Sequence, residues 1–70
     1  MVQNDPDWIM IYSSTQAHKV NIVKAVLEDN QIRSFELNKM DSVTFIGDID
    51  LYVHKNEEVL ARFLIKTHDL

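Results

Sequence analysis

Cysteine is absent from this sequence, and glycine and proline each occur once. Without cysteine there is no disulfide scaffold, no zinc-thiolate site and no thiol nucleophile. A single glycine leaves nothing from which to build a glycine-rich loop around a phosphate. No apolar run comes near the roughly 18 residues that cross a bilayer, and no charged-then-apolar leader opens the chain, so no membrane partner is expected and the cytoplasm is the expected location. Positive charge is also scarce: 7 Lys and Arg face 11 Asp and Glu, for a net charge of −4, which argues against binding a phosphate backbone. What is present is a 70-residue chain that is 46% hydrophobic and 26% charged, the composition of one small folded domain. At that size a chain buries only about 60% of its unfolded surface, so a single thin core is expected.

The order of elements follows from patterning. Residues 1–6, closed by Asp5-Pro6, read as a flexible N-terminal arm, residues 7–67 as the domain and 68–70 as a C-terminal tail. Trp8-Ile9-Met10-Ile11-Tyr12 is a short β-branched and aromatic run, expected to be a strand. The hydroxyls of Ser13, Ser14 and Thr15 then offer an N-cap for a helix over 15–30, whose Val20, Val23 and Leu27 share one face. Val26 and Ile22 widen that stripe, and Asn30 suits a left-handed residue past the helix end. Residues 32–39 and 48–54 alternate as half-buried strands, joined by the Met40–Gly47 connection with the only glycine at its turn. Asn56 is expected to cap a last helix with Val59, Leu60, Phe63 and Leu64 as its stripe.

The resulting β-α-β-β-α order predicts an α+β, ferredoxin-like domain. A right-handed crossover places both helices on one face of a three-stranded mixed sheet in the order 1-3-2, with the third strand parallel to the first. Alternation then puts Ile9, Ile11, Phe35, Leu37, Ile49, Leu51 and Val53 against the helices. Trp8, Met10, Tyr12 and Tyr52 are left on the uncovered face, together with Glu36, Asp48 and Asp50. An apolar and aromatic patch of that kind marks a contact surface. Stacking on RNA bases is disfavoured by the acidic residues on that face and by the lack of a basic, glycine-containing aromatic motif. Self-association is the expected use of Trp8, Met10, Tyr12 and Tyr52, the alternative being that Trp8 and Tyr12 lie near the sheet rim, packed under the N-terminal arm or the Met40–Gly47 connection.

Candidate chemistry is sparse. Asn38-Lys39-Met40-Asp41 matches the NKxD segment that reads guanine in GTPases, but no phosphate loop accompanies it. Asp41, Ser42 and His54 lack the nucleophile elbow and oxyanion glycines of a hydrolase. Asp48, Asp50, His54 and Glu36 lie too far apart on a flat strand face to wrap a metal ion, since same-face neighbours stand nearly 7 Å apart. His18 and His68 read as helix-surface residues. No catalytic residue, metal site or cofactor is expected. The apolar Val43, Phe45 and Ile46 of the long connection are expected to pack over the core edge.

Five segments carry a family resemblance: Trp8-x-x-x-Tyr12-Ser13, Leu27-Glu28-Asp29-Asn30 with Ile32, Leu37-Asn38-Lys39-x-Asp41-Ser42, and Gly47-x-Ile49 with Leu51-Tyr52-Val53. Together they resemble the small bacterial family labelled as signal transducing proteins, a domain-of-unknown-function family, over about residues 7–64. The resemblance implies a ferredoxin-like fold related to the PII (GlnB-like) nitrogen regulators, a role in signal transduction, and Asn38, Lys39, Asp41, Ser42 and Gly47 as a family-typical loop. It also makes a trimer possible beside a sheet-face dimer. The expected function is therefore a non-enzymatic bacterial binding or regulatory module that forms a homo-oligomer through its open sheet. An unknown protein partner is a further possibility. The alternative is a small-molecule-binding protein with its site at the 38–47 loop.

Overall fold

The structure, a computed structural model, describes residues 7–39 and 47–70. Strand β1 (Trp8–Ser14) leads to helix α1 (Ala17–Asp29), then to strands β2 (Ser34–Asn38) and β3 (Ile49–His54). A 3-10 turn, Lys55–Glu57, opens into helix α2 (Glu58–Thr67). The strands form one sheet in the order β1-β3-β2, giving the expected α+β, β-α-β-β-α layout. The sheet is antiparallel throughout, not mixed. The crossover through α1 returns β2 in the direction of β1, and the reversal after β2 runs β3 against both neighbours.

Helix α1 buries Val20, Val23 and Leu27, the residues its 3.6-residue period selects, whereas Ile22 stays half outside at 49% exposure. These side chains meet Ile11, Ile32, Ile49, Leu51 and Val53 with Ala61 and Leu64 of α2 in one core. Since Ile49, Leu51 and Val53 share one side of β3, both helices lie on the same sheet face. The buried stripe of α2 differs from expectation. Ala61 is fully buried and Leu64 nearly so, while Val59 is 83% and Phe63 59% exposed. The face of α2 turned to the core is thus the one that carries Ala61 and Leu64, and the bulkier Val59 and Phe63 lie outside it.

Both helices end in the same way. Ile32 N–H donates to the Leu27 carbonyl and Gln31 N–H to that of Glu28, the paired bonds of a Schellman motif. At α2, Leu70 N–H donates to Ile65 and Asp69 N–H to Lys66. The left-handed residues are Gln31 (φ 63°) and Asp69 (φ 56°), not Asn30, whose φ of −102° is that of the preceding cap. Residues 68–70 thus close α2, with Leu70 packed on the core. Gln31→Gly is expected to stabilise the domain by about 0.5–1 kcal/mol, because a side chain at positive φ costs more than the freedom glycine adds to the unfolded chain. A raised urea midpoint with unchanged slope checks this.

Capping at the helix starts also departs from the sequence reading. Gln16 precedes α1 without a side-chain cap, and the Ser14 hydroxyl instead accepts the Gln16 N–H at 3.0 Å. At the 3-10 turn, His54 Nδ1 accepts the Asn56 N–H at 3.2 Å, so His54, and not Asn56, does the capping. The expected packing of Val43, Phe45 and Ile46 lies outside the described residues.

Candidate functional site

The sheet face opposite the helices carries the most distinctive cluster of the molecule. Phe35 stacks on Tyr52 with ring centroids 5.0 Å apart and planes 6° from parallel. Trp8 meets Phe35 edge-on at 5.1 Å and His54 edge-on at 5.7 Å. Register explains the grouping. Trp8 pairs with His54, Met10 with Tyr52, and Phe35 with Tyr52, and directly opposed residues in antiparallel strands point to one face. Met10, beside the rings, is 46% exposed.

Two corrections follow. Phe35 and Leu37 belong to this open face, while Ser34, Glu36 and Asn38 lie on the helix side, where Glu36 reaches Lys24 of α1 at 3.5 Å. The expected phase of β2 is therefore reversed by one residue, which exchanges its two faces. Tyr12 leaves the open face as well. The pairing slips between Met10 and Tyr12, so Ile11 is a bulge and Tyr12 comes opposite Leu51 on the helix side. There it packs against the core and lines a cleft of about 230 Å³ with Lys19, Ile22, Val23, Asp69 and Leu70. Of the expected interface residues, Trp8, Met10 and Tyr52 are together and Tyr12 is not.

Beyond the rings, the open face ends in a buried carboxylate. Asp50 is 3% exposed, takes a 2.8 Å hydrogen bond from the Ser13 hydroxyl on Oδ1, and holds Lys39 Nζ at 2.9 Å on Oδ2. Burial pushes this carboxyl up, but the hydrogen bonds from Lys39 and Ser13, with the Lys39 charge, outweigh it and hold Asp50 below the ordinary carboxylate range. The same hydrogen bond and charge raise the Lys39 ammonium above its usual value. Lys39 also continues the β2–β3 ladder, its N–H donating to the Asp48 carbonyl at 2.9 Å.

Lys39 of the expected ligand loop is thus committed to Asp50. Asn38 ends β2, and Gly47, at φ 136°, occupies a backbone region that favours glycine. Asp41 and Ser42 lie outside the described residues. Asp50, expected as part of a solvated acidic face, is instead a buried ion-pair partner. Ser13, Leu37 and Phe35 were missed, and only the adjacent Ser13-Ser14 pair and the alternation of 34–38 carried any trace of them. At the opposite end of the face, Trp8, Gln31, Arg33, His54 and Glu57 line a shallow cleft of about 280 Å³. Among the described residues no cluster of three or more His, Asp or Glu is placed to hold a metal ion.

The architecture is compatible with the ferredoxin-like class. Comparison with known proteins adds no closer assignment: no family model, no curated protein and no solved structure matches the chain. Among the described residues, no helix is long and apolar enough to cross a membrane.

Proposed function

We propose that this protein is a non-enzymatic, cytoplasmic binding or regulatory module of the bacterial signal-transducing type, which associates with copies of itself through its open sheet face. The observation that carries the reading is the Trp8–Phe35–Tyr52 ring cluster on the face turned away from both helices. Aromatic anchors with a flexible Met10 beside them are the residue types that concentrate binding energy at interfaces. The polar end of the face supports the same reading, because Lys39 neutralises Asp50 and removes an uncompensated charge from the surface to be buried. A ligand site at 38–47 has less support, since the Lys39 ammonium is already engaged.

Light scattering over a tenfold concentration range tests the reading. The wild type is expected to form a dimer or trimer. Met10→Glu, which places a charge among the rings at little cost to the fold, is expected to weaken association at least tenfold, and Trp8→Ala by a similar or larger factor. A wild type that stays monomeric throughout removes self-association from the reading.

A further inference from the structure

We infer that the cleft lined by Trp8, Gln31, Arg33, His54 and Glu57 is a binding site for a small zwitterion, a free amino acid with an apolar side chain. Strand register assembles the site. Trp8 opens β1 opposite His54. Ser34 pairs with Val53, so Arg33, one residue earlier, comes beside His54 on the other side of β3. Alternation sets Arg33 on the same face as Phe35, the face of the rings. Gln31, from the turn after α1, and Glu57, from the 3-10 turn before α2, complete the walls. The volume of about 280 Å³ is close to the lower end of the range for small-molecule pockets, about 300 Å³, which suits a ligand of amino-acid size.

The charges of the cleft select the zwitterion. Four ion pairs join Lys24, Lys39, Lys55 and Arg62 to Glu36, Asp50, Asp7 and Glu58. Among the described residues Arg33 and Glu57 belong to no ion pair, although both line this one cleft. The Arg33 guanidinium is a fork of donors that matches a carboxylate, and the Glu57 carboxylate accepts from an ammonium. His54 adds a neutral donor beside Arg33. Its Nδ1 accepts the Asn56 N–H at 3.2 Å, which leaves the ring proton of the imidazole on Nε2. The Trp8 indole, edge-on to both Phe35 and His54, supplies the apolar wall for the side chain. A ligand of zero net charge also escapes the repulsion that a chain of net charge −4 exerts on a free anion.

Gln31 points the same way. It holds φ 63°, where glycine would cost less, yet it brings a carboxamide to the wall of the cleft. A residue kept in a conformation it fits poorly is a common mark of a working site.

Trp8 is the only tryptophan, so its fluorescence reports on the cleft directly. The wild type is titrated with L-leucine at the lowest concentration of the light-scattering series, with amide chemical shifts of residues 31–33 and 54–57 followed in parallel. A saturable change is expected in both, with a dissociation constant on the order of 1 mM. Leucinamide, which lacks the carboxylate, and isocaproate, which lacks the ammonium, are each expected to bind at least tenfold more weakly. Arg33→Gln and Glu57→Gln should each lower leucine affinity at least tenfold while leaving the solution mass unchanged. Isocaproate binding as tightly as leucine would reduce the cleft to an anion site and overturn the assignment. Shifts that do not saturate, or that survive both substitutions, overturn the site itself. The association proposed above stands or falls separately, on the mass of the wild type and Met10→Glu without ligand.

Discussion

Replacing Leu51 with alanine is expected to cost about 2–5 kcal/mol, the range for truncating a fully buried leucine. Leu51 is 0% exposed at the centre of the middle strand, opposite Tyr12 on one neighbour and Glu36 on the other. Its side chain is part of the core that α1 and α2 share. A 70-residue domain has a total stability on the order of 3–10 kcal/mol, so this one substitution removes a large fraction of it. The melting temperature is expected to fall by roughly 10–40 °C. Urea unfolding should show a lower midpoint with an unchanged slope. The contrast is Phe63→Ala, which should change stability by no more than about 0.5 kcal/mol, because Phe63 is 59% exposed. A costly Phe63→Ala beside a mild Leu51→Ala would return α2 to the orientation its hydrophobic residues alone suggest.

That contrast marks where the sequence could be read and where it could not. In β3 the alternation of Ile49, Leu51 and Val53 is unambiguous, because the middle strand has helices on one side and must present its aliphatic residues there. In β2 the alternation was equally visible, but it separates two faces without saying which meets the helices. β3, Ile11 and Ile32 complete the core, and Phe35 instead joins Tyr52 and Trp8 on the open side. In β1 the unbroken run from Trp8 to Tyr12 has no polar residues to mark its phase, so the bulge at Ile11 left no sign. In α2, five apolar residues within six positions allow more than one stripe, and the one that meets the core carries Ala61 and Leu64.

The candidate site was less legible than the fold for a related reason. An aspartate at an outward position of a strand reads as solvated, and nothing in Asp48-Ile49-Asp50 distinguishes the exposed carboxylate from the buried one. The distinction is made by residues distant in the chain. Ser13 sits directly across β1 and Lys39 one step along from β2, and each contributes only once the strand order is known. The order β1-β3-β2 therefore creates this ion pair, which no local spacing could announce.

Lys39→Met is expected to destabilise the domain in a manner confined to a window of pH. In the wild type the Asp50 carboxyl lies below its ordinary value, so its contribution is complete above about pH 4 and is lost as pH falls through the depressed folded value. The Lys39 ammonium is raised, so its contribution is complete below about pH 10 and is lost as pH climbs through the raised value. The difference between wild type and Lys39→Met should therefore form a plateau between those limits and shrink at both ends. Within the variant, burial acts on Asp50 with only the Ser13 hydroxyl to oppose it, which moves the carboxyl upward. Acidification then relieves the variant of a buried unpaired charge while it removes the wild type's ion pair, and the two curves converge. On the plateau the melting temperature of Lys39→Met is expected to lie several degrees below the wild type. Asp50→Asn keeps the shape and removes the charge, so adding Lys39→Met to it should cost much less than adding it to the wild type. Melting curves of the four proteins from about pH 2 to about pH 12 decide the matter. A loss that is the same at every pH, or unchanged by Asp50→Asn, would assign the role of Lys39 to its aliphatic stem and leave the open face with a buried carboxylate balanced by Ser13 alone.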